Sequence, residues 1–211
     1  MRALGSRYVL VGIIATYVLI IMEPGEEVAA PVRLAVLGGL LAVSLWARRG
    51  RRNLAVPAAG LGLLLCVATV AAGRWGSDRT HAVLAGAATI LLVAAMIVSV
   101  GQAALASRVI DGAVMRGVLS VYLLLALLFS ALHQVGGQFV AGYLTGVTGP
   151  PDASTALYFS VITLTTIGYG DIAPGCDVAR AVAVTEALVG QLYLVAVVAR
   201  VVSGYRKPGR D

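Results

Sequence analysis

Tyr158-Phe159-Ser160-Val161-Ile162-Thr163-Leu164-Thr165-Thr166-Ile167-Gly168-Tyr169-Gly170-Asp171 is the passage on which the fold turns. Residues 154–165 form an apolar segment of about 12 residues, short of the roughly 20 that a bilayer-spanning helix needs. Asp152 or Ser154 stands where it can cap such a helix at its start. Gly168 and Gly170 follow at alternate positions, where glycine admits the left-handed dihedrals that redirect a chain. A short helix that enters a membrane and then gives way to irregular backbone is tolerated only where protein buries it or a polar path runs beside it. The passage therefore predicts a re-entrant helix and loop held between two long apolar helices.

Those flanking helices are present, at residues 117–132 and 178–205. Four more apolar runs precede them, at residues 8–22, 31–47, 54–72 and 82–106. All are apolar around the whole circumference, as lipid-facing segments are. Of the 211 residues, 59% are hydrophobic and only 12% are Asp, Glu, Lys or Arg, which excludes both a soluble globule and a disordered chain. The reading is an all-α membrane protein of six transmembrane helices: a four-helix region (1–106), a cytoplasmic linker (107–116), a pore domain (117–205) and a short cytoplasmic tail (206–211). The first run follows Arg2 and Arg7 and precedes Val28-Ala29-Ala30, so a cleaved signal peptide is the alternative to a retained first helix.

The formal charge is +6, from 16 basic and 10 acidic residues. With the N-terminus in the cytoplasm and six crossings, twelve of the 16 bases fall inside: Arg2, Arg7, Arg48, Arg49, Arg51, Arg52, Arg108, Arg116, Arg200, Arg206, Lys207 and Arg210. Arg33, Arg74, Arg79 and Arg180 fall outside or near the outer surface. The bases are read as topology markers and not as a nucleic-acid surface. The Arg, Ala, Gly and Val bias fits a bacterial source, and the compartment expected is the plasma membrane. Cys66 and Cys176 form no disulfide framework.

An ion that crosses a bilayer must exchange its hydration shell for protein oxygens, and backbone carbonyls can supply them if successive residues aim at one axis. The quoted passage, with its Thr165-Thr166-Ile167-Gly168-Tyr169-Gly170-Asp171 core, resembles the pore helix and selectivity filter of potassium channels of the pore-loop superfamily. The resemblance covers about residues 117–205. It implies a homotetramer, because one chain holds one filter strand and the family filter needs four. It implies that the carbonyls of Thr166, Ile167, Gly168 and Tyr169, with the Thr166 hydroxyl, coordinate dehydrated K+, and that the filter runs to Gly170. By the same resemblance Thr165, Tyr158, Phe159 and Asp171 support the filter, with Tyr169 packed on Tyr158 and Phe159. Some bacterial relatives carry Glu where this chain has Ile162, paired with the Asp after the filter; that pair cannot form here. No cofactor is implied beyond the permeant K+, and no nucleophile–base constellation suggests an enzyme.

Gly190 lies twenty residues after Gly170, a spacing similar to that of the hinge glycine in related inner helices; close helix packing is the other reading. The same alignment puts Gln191, Leu194, Val198 and Val202 on the ion path, one helix face at about 100° per residue. Glu186 is the one acid expected deep in a span, roughly 125° from that face, so it should point toward the re-entrant helix or the fifth helix. A buried carboxyl that fixes packing and a proton-sensitive gate are both open for it. The fourth run carries no charged residue, unlike the arginine ladder of a voltage sensor. His81 and His133 are read as interfacial side chains near helix ends. Trp46 and Trp75 suit the interfacial belt, and Arg48, Arg49, Arg51 and Arg52 suit contact with anionic lipid. Asp152, Asp171 and Asp177 either gather cations at the outer mouth or are simply solvated. A less selective cation channel and a non-conducting regulatory subunit remain as alternative functions.

Overall fold

The computed structural model describes residues 2–22, 26–47, 52–105 and 111–204. They form seven α-helices: α1 Arg2–Ile21, α2 Glu26–Trp46, α3 Ala55–Trp75, α4 Asp78–Leu105, α5 Gly112–Phe139, α6 Ala153–Leu164 and α7 Asp177–Gly204. A 3-10 turn, Arg52–Leu54, leads into α3. Two short strands, β1 Leu144–Thr145 and β2 Ala173–Pro174, pair antiparallel on either side of the α6 loop. Among the described residues, α3, α4, α5 and α7 are long and apolar enough to cross a membrane. The apolar stretches of the first two helices are shorter, at Arg7–Ile21 and Ala30–Trp46.

Element boundaries differ from the sequence reading where a cap or a close contact intervenes. The fifth helix begins at Gly112, five residues earlier than its apolar run, because Asp111 caps it: the carboxylate accepts from the amides of Ala113 (3.0 Å) and Val114 (2.9 Å). It also runs through Gly136 and Gly137 to Phe139 instead of ending at Leu132. A side chain at Gly136 would meet the Tyr143 ring at 2.7 Å, and one at Gly137 would collide with Pro151. The glycines let the outer loop lie directly on the helix.

Burial of apolar surface does little to join helices whose solvent is lipid, so close backbone approach and buried hydrogen bonds have to do more. The contacts follow that rule. Gly38 of α2 and Gly62 of α3 face each other so closely that a Cβ on either would sit 2.6 Å from the other's Cα. Gly86 of α4 receives Val135 of α5. Ser44 of α2 and Ser99 of α4 share a buried hydrogen bond of 3.0 Å, and Tyr17 of α1 donates to the Leu123 carbonyl of α5 at 2.7 Å. One core joins α1, α2, α3, α4 and α5 and reaches Leu157 of α6. A second, smaller core under the outer loop holds Tyr143, Leu144, Phe159, Ala179 and Ala183. The fifth helix thus packs against α1, α4, α6 and α7. The described part of α4 carries charge only in its first turn, Asp78 and Arg79. Arg33 is buried within the bundle. Cys66 and Cys176 are free thiols, and Trp46 and Trp75 are exposed.

Candidate functional site

Residues 166–170 lie at the C-terminal end of α6, and that helix holds them through its last carbonyls. Asp152, not Ser154, caps the start of α6: its carboxylate accepts from the Thr155 amide at 2.7 Å, and the Ser154 hydroxyl adds a 3.4 Å bond to it. At the other end the Thr166 amide donates to the Thr163 carbonyl at 3.0 Å. The amides of Ile167 (2.9 Å) and Gly168 (3.2 Å) both donate to one acceptor, the Ile162 carbonyl. A peptide unit is planar and trans, so its C=O points opposite its N–H. The Thr166 and Ile167 carbonyls are therefore turned away from α6. The backbone takes positive φ at every second residue, Thr166 (60°), Gly168 (53°) and Gly170 (83°). Glycine adopts this freely, but at Thr166 it costs on the order of 1–2 kcal/mol. The side of the strand away from α6 is open: residues 166–170 are all exposed on the single chain, Tyr169 at 71%.

Thr165 closes α6, donating its hydroxyl to the Val161 carbonyl at 2.6 Å. Beyond the strand, Tyr158 donates to Asp171 Oδ2 at 2.8 Å, so the residue after Gly170 is tied back to the middle of α6. Phe159 is buried and turned edge-on to His133, with ring centroids 4.8 Å apart. Of the two aromatics expected beneath Tyr169, one is engaged by Asp171 and the other by His133. The β1–β2 ribbon and Gly146, which is pressed against the Asp171 carbonyl at φ +83°, pin the outer loop to the segment that follows the strand. Asp177 is exposed and bonded to Arg180 at 3.3 Å.

On α7, Gly190 is buried against the end of α6, where a Cβ would meet Leu164 Cδ1 at 2.8 Å and its carbonyl oxygen at 2.9 Å. The same carbonyl accepts from Tyr122 at 3.2 Å, and Tyr122 stacks on Tyr193. Tyr193 in turn donates to the Val118 carbonyl of α5. Gln191 and Leu194 are exposed on the single chain. The side chains of Val198 and Val202 lie outside the described residues, as do Arg48, Arg49, Arg51 and the Arg52 side chain, residues 106–110, and the tail from 205 onward.

Glu186 is fully buried, with α5 and α6 as its neighbours. Its Oε2 is 3.0 Å from His133 Nε2, and its Oε1 is in hydrogen-bond contact with the Ser160 hydroxyl. Ser160 also lies 2.8 Å from the Ala126 carbonyl of α5. His133 Nδ1 is 3.2 Å from the Tyr143 hydroxyl. Burial, with Cys176 and Glu186 nearby, pushes the Tyr143 phenol up to about 12. His133, read from the sequence as an interfacial side chain, is instead wholly buried, six residues inside the end of α5. The glutamate was identifiable alone; its partners, at 133, 143 and 160, had no signal beyond being polar residues in apolar surroundings. His81 is likewise buried, beside Gly73.

No curated protein and no solved structure matches the chain. Residues 117–207, which take in nearly all of α5 together with α6, the 166–170 strand and α7, match the family model described as an ion channel.

Proposed function

We propose that the protein is a potassium-selective channel that conducts K+ passively through a pore formed by four copies of this chain. The observation that carries the reading is the 166–170 strand: positive φ at alternate residues, with two successive amides bonded inward to the Ile162 carbonyl. This leaves carbonyls to face an open side, where an ion stripped of water needs them. Thr166, Ile167, Gly168 and Tyr169 offer the carbonyls, and the Thr166 hydroxyl adds a further oxygen below them. Potassium is the cargo, selected by neutral dipoles rather than by a charged side chain. The C-terminal end of α6 directs its partial negative charge toward the inner end of the strand, which favours a cation there.

A tetramer is favoured by what the single chain leaves uncovered. The filter strand is exposed, and so is a stripe of α7 through Val184, Leu188, Gln191, Leu192 and Val195. Neighbouring copies would cover part of that stripe and leave Gln191, Leu194, Val198 and Val202 to line the cavity. Tyr169 would then pack across the subunit boundary. We further read α1 and α2 as spans, giving six crossings with both termini in the cytoplasm of a bacterial plasma membrane. Arg48, Arg49, Arg51 and Arg52 would meet anionic lipid at the inner surface.

The test is bi-ionic recording of the reconstituted protein. A reversal potential set by K+ over Na+, abolished by Gly168→Ala, supports the reading. A side chain at φ 53° is disfavoured by about 1–2 kcal/mol. Equal K+ and Na+ permeability would point to a general cation channel, and absence of current to a regulatory subunit.

A further inference from the structure

The Glu186 cluster has more contacts than an ionised carboxylate can satisfy. Ser160 Oγ is 2.8 Å from the Ala126 carbonyl oxygen and also in contact with Glu186 Oε1. A hydroxyl has one hydrogen, while a carbonyl and a carboxylate only accept. With Glu186 ionised, one of those two contacts is lone pair against lone pair, at a site with no exposure to water. Both become hydrogen bonds if Oε1 carries a hydrogen and donates it to Ser160 Oγ, which donates its own to Ala126.

The other side of the carboxyl agrees. Oε2 accepts from His133 Nε2–H at 3.0 Å, which makes Nδ1 of the neutral ring an acceptor. The Tyr143 hydroxyl, 3.2 Å from Nδ1, is the donor it needs. The bonds then run in one direction, from Tyr143 to His133, Glu186, Ser160 and Ala126. Each hydrogen is used once and no net charge is buried. An imidazolium–carboxylate pair would make Nδ1 a second donor, would turn the Tyr143 hydroxyl from donor to acceptor, and would still leave Ser160 one hydrogen short. Among the described residues, Tyr17 of α1 is a further titratable group near Glu186.

Resting on the pore reading above, we propose that Glu186 is a protonated positioning residue, donating its carboxylic hydrogen to Ser160 and so fixing α6 between α5 and α7. Ser160 lies two residues before Ile162, whose carbonyl holds the Ile167 and Gly168 amides. A change in how α6 is seated is passed directly to the strand.

The full-length chain in lipid, at neutral pH, is compared with Glu186→Gln by infrared difference spectroscopy. The expected result is the C=O band of an un-ionised carboxylic acid, missing from the variant. Carboxylate bands alone would overturn the proposal. Gln can donate to Ser160 and accept from His133, so Glu186→Gln keeps K+ over Na+ selectivity within about twofold of the parent, whereas Glu186→Leu and Ser160→Ala lower it roughly tenfold. A Gln variant as impaired as the Leu variant would also overturn it. If the parent protein carries no K+ current, the pore reading fails, while the infrared band still decides where the proton is.

Discussion

Replacing Gly190 with alanine tests how α7 meets the end of α6 and the 166–170 strand that follows it. The new Cβ would lie 2.8 Å from Leu164 Cδ1, 3.0 Å from its Cγ and 2.9 Å from its carbonyl oxygen. The side-chain part of that overlap can be relieved by rotating Leu164, although the residue is buried and has little room. The carbonyl cannot rotate away. An ordinary C···O contact is about 3.3–3.6 Å, so α7 or the end of α6 must move by roughly 0.5 Å. Overpacking of this kind costs about 1–3 kcal/mol, while alanine in a helix gains about 1 kcal/mol over glycine. The two nearly cancel, so unfolding measurements should show a loss of only about 1 kcal/mol. The displacement does not cancel. It acts one residue before Thr165, at a carbonyl that also accepts from Tyr122, and it should appear as a lowered K+ over Na+ permeability ratio in bi-ionic recordings. Adding Leu164→Ala removes the side-chain overlap and leaves the carbonyl contact, so the double variant should recover stability more than selectivity. A Gly190→Ala protein that is more stable than the parent, with an unchanged reversal potential, would show that the contact does not constrain the filter.

Three further outcomes follow from the same geometry. Gly38→Ala should force α2 and α3 apart and lower the thermal midpoint in detergent by the equivalent of about 2 kcal/mol, whereas Gly39→Ala, whose Cβ meets nothing within 4 Å, should not lower it. Tyr158→Phe removes the exposed bond to Asp171 that ties the residue after Gly170 to α6; sustained recordings should show current decaying faster than in the parent. Asp111→Ala removes the cap of α5, worth about 1 kcal/mol, and hydrogen exchange should quicken at Ala113 and Val114 and not in the middle of the helix.

Local signals in the sequence reached as far as local structure. The re-entrant helix falls at Ala153–Leu164, one residue from its expected position, because a short apolar run between turn residues leaves little choice. Alternating glycines marked the strand, but the third left-handed position, Thr166, was not visible, since the Ile162 carbonyl and not glycine chemistry enforces it. The start of α5 lies earlier than its apolar run because the polar link before that run already contains a helix capped by a single Asp111. Its end was placed early because Gly136 and Gly137 read as a loop until Tyr143 and Pro151 are seen lying on them. The partners of Glu186 are 26 and 53 positions away in the chain. No periodicity connects such residues; only the packing of α5, α6 and α7 does. For the same reason His133 looked like a residue at a membrane surface.

The packing of α5 against α1 and α4 as well as α6 and α7 has a consequence for biogenesis. Helices leave the ribosome in order, so the first four can be in the bilayer before α5 is complete. They would present a finished seat: a groove at Gly86 for Val135 and a tyrosine at position 17 aimed at the Leu123 carbonyl. The N-terminal bundle would then act as a built-in docking platform, seating α5 and the elements that follow it within their own chain.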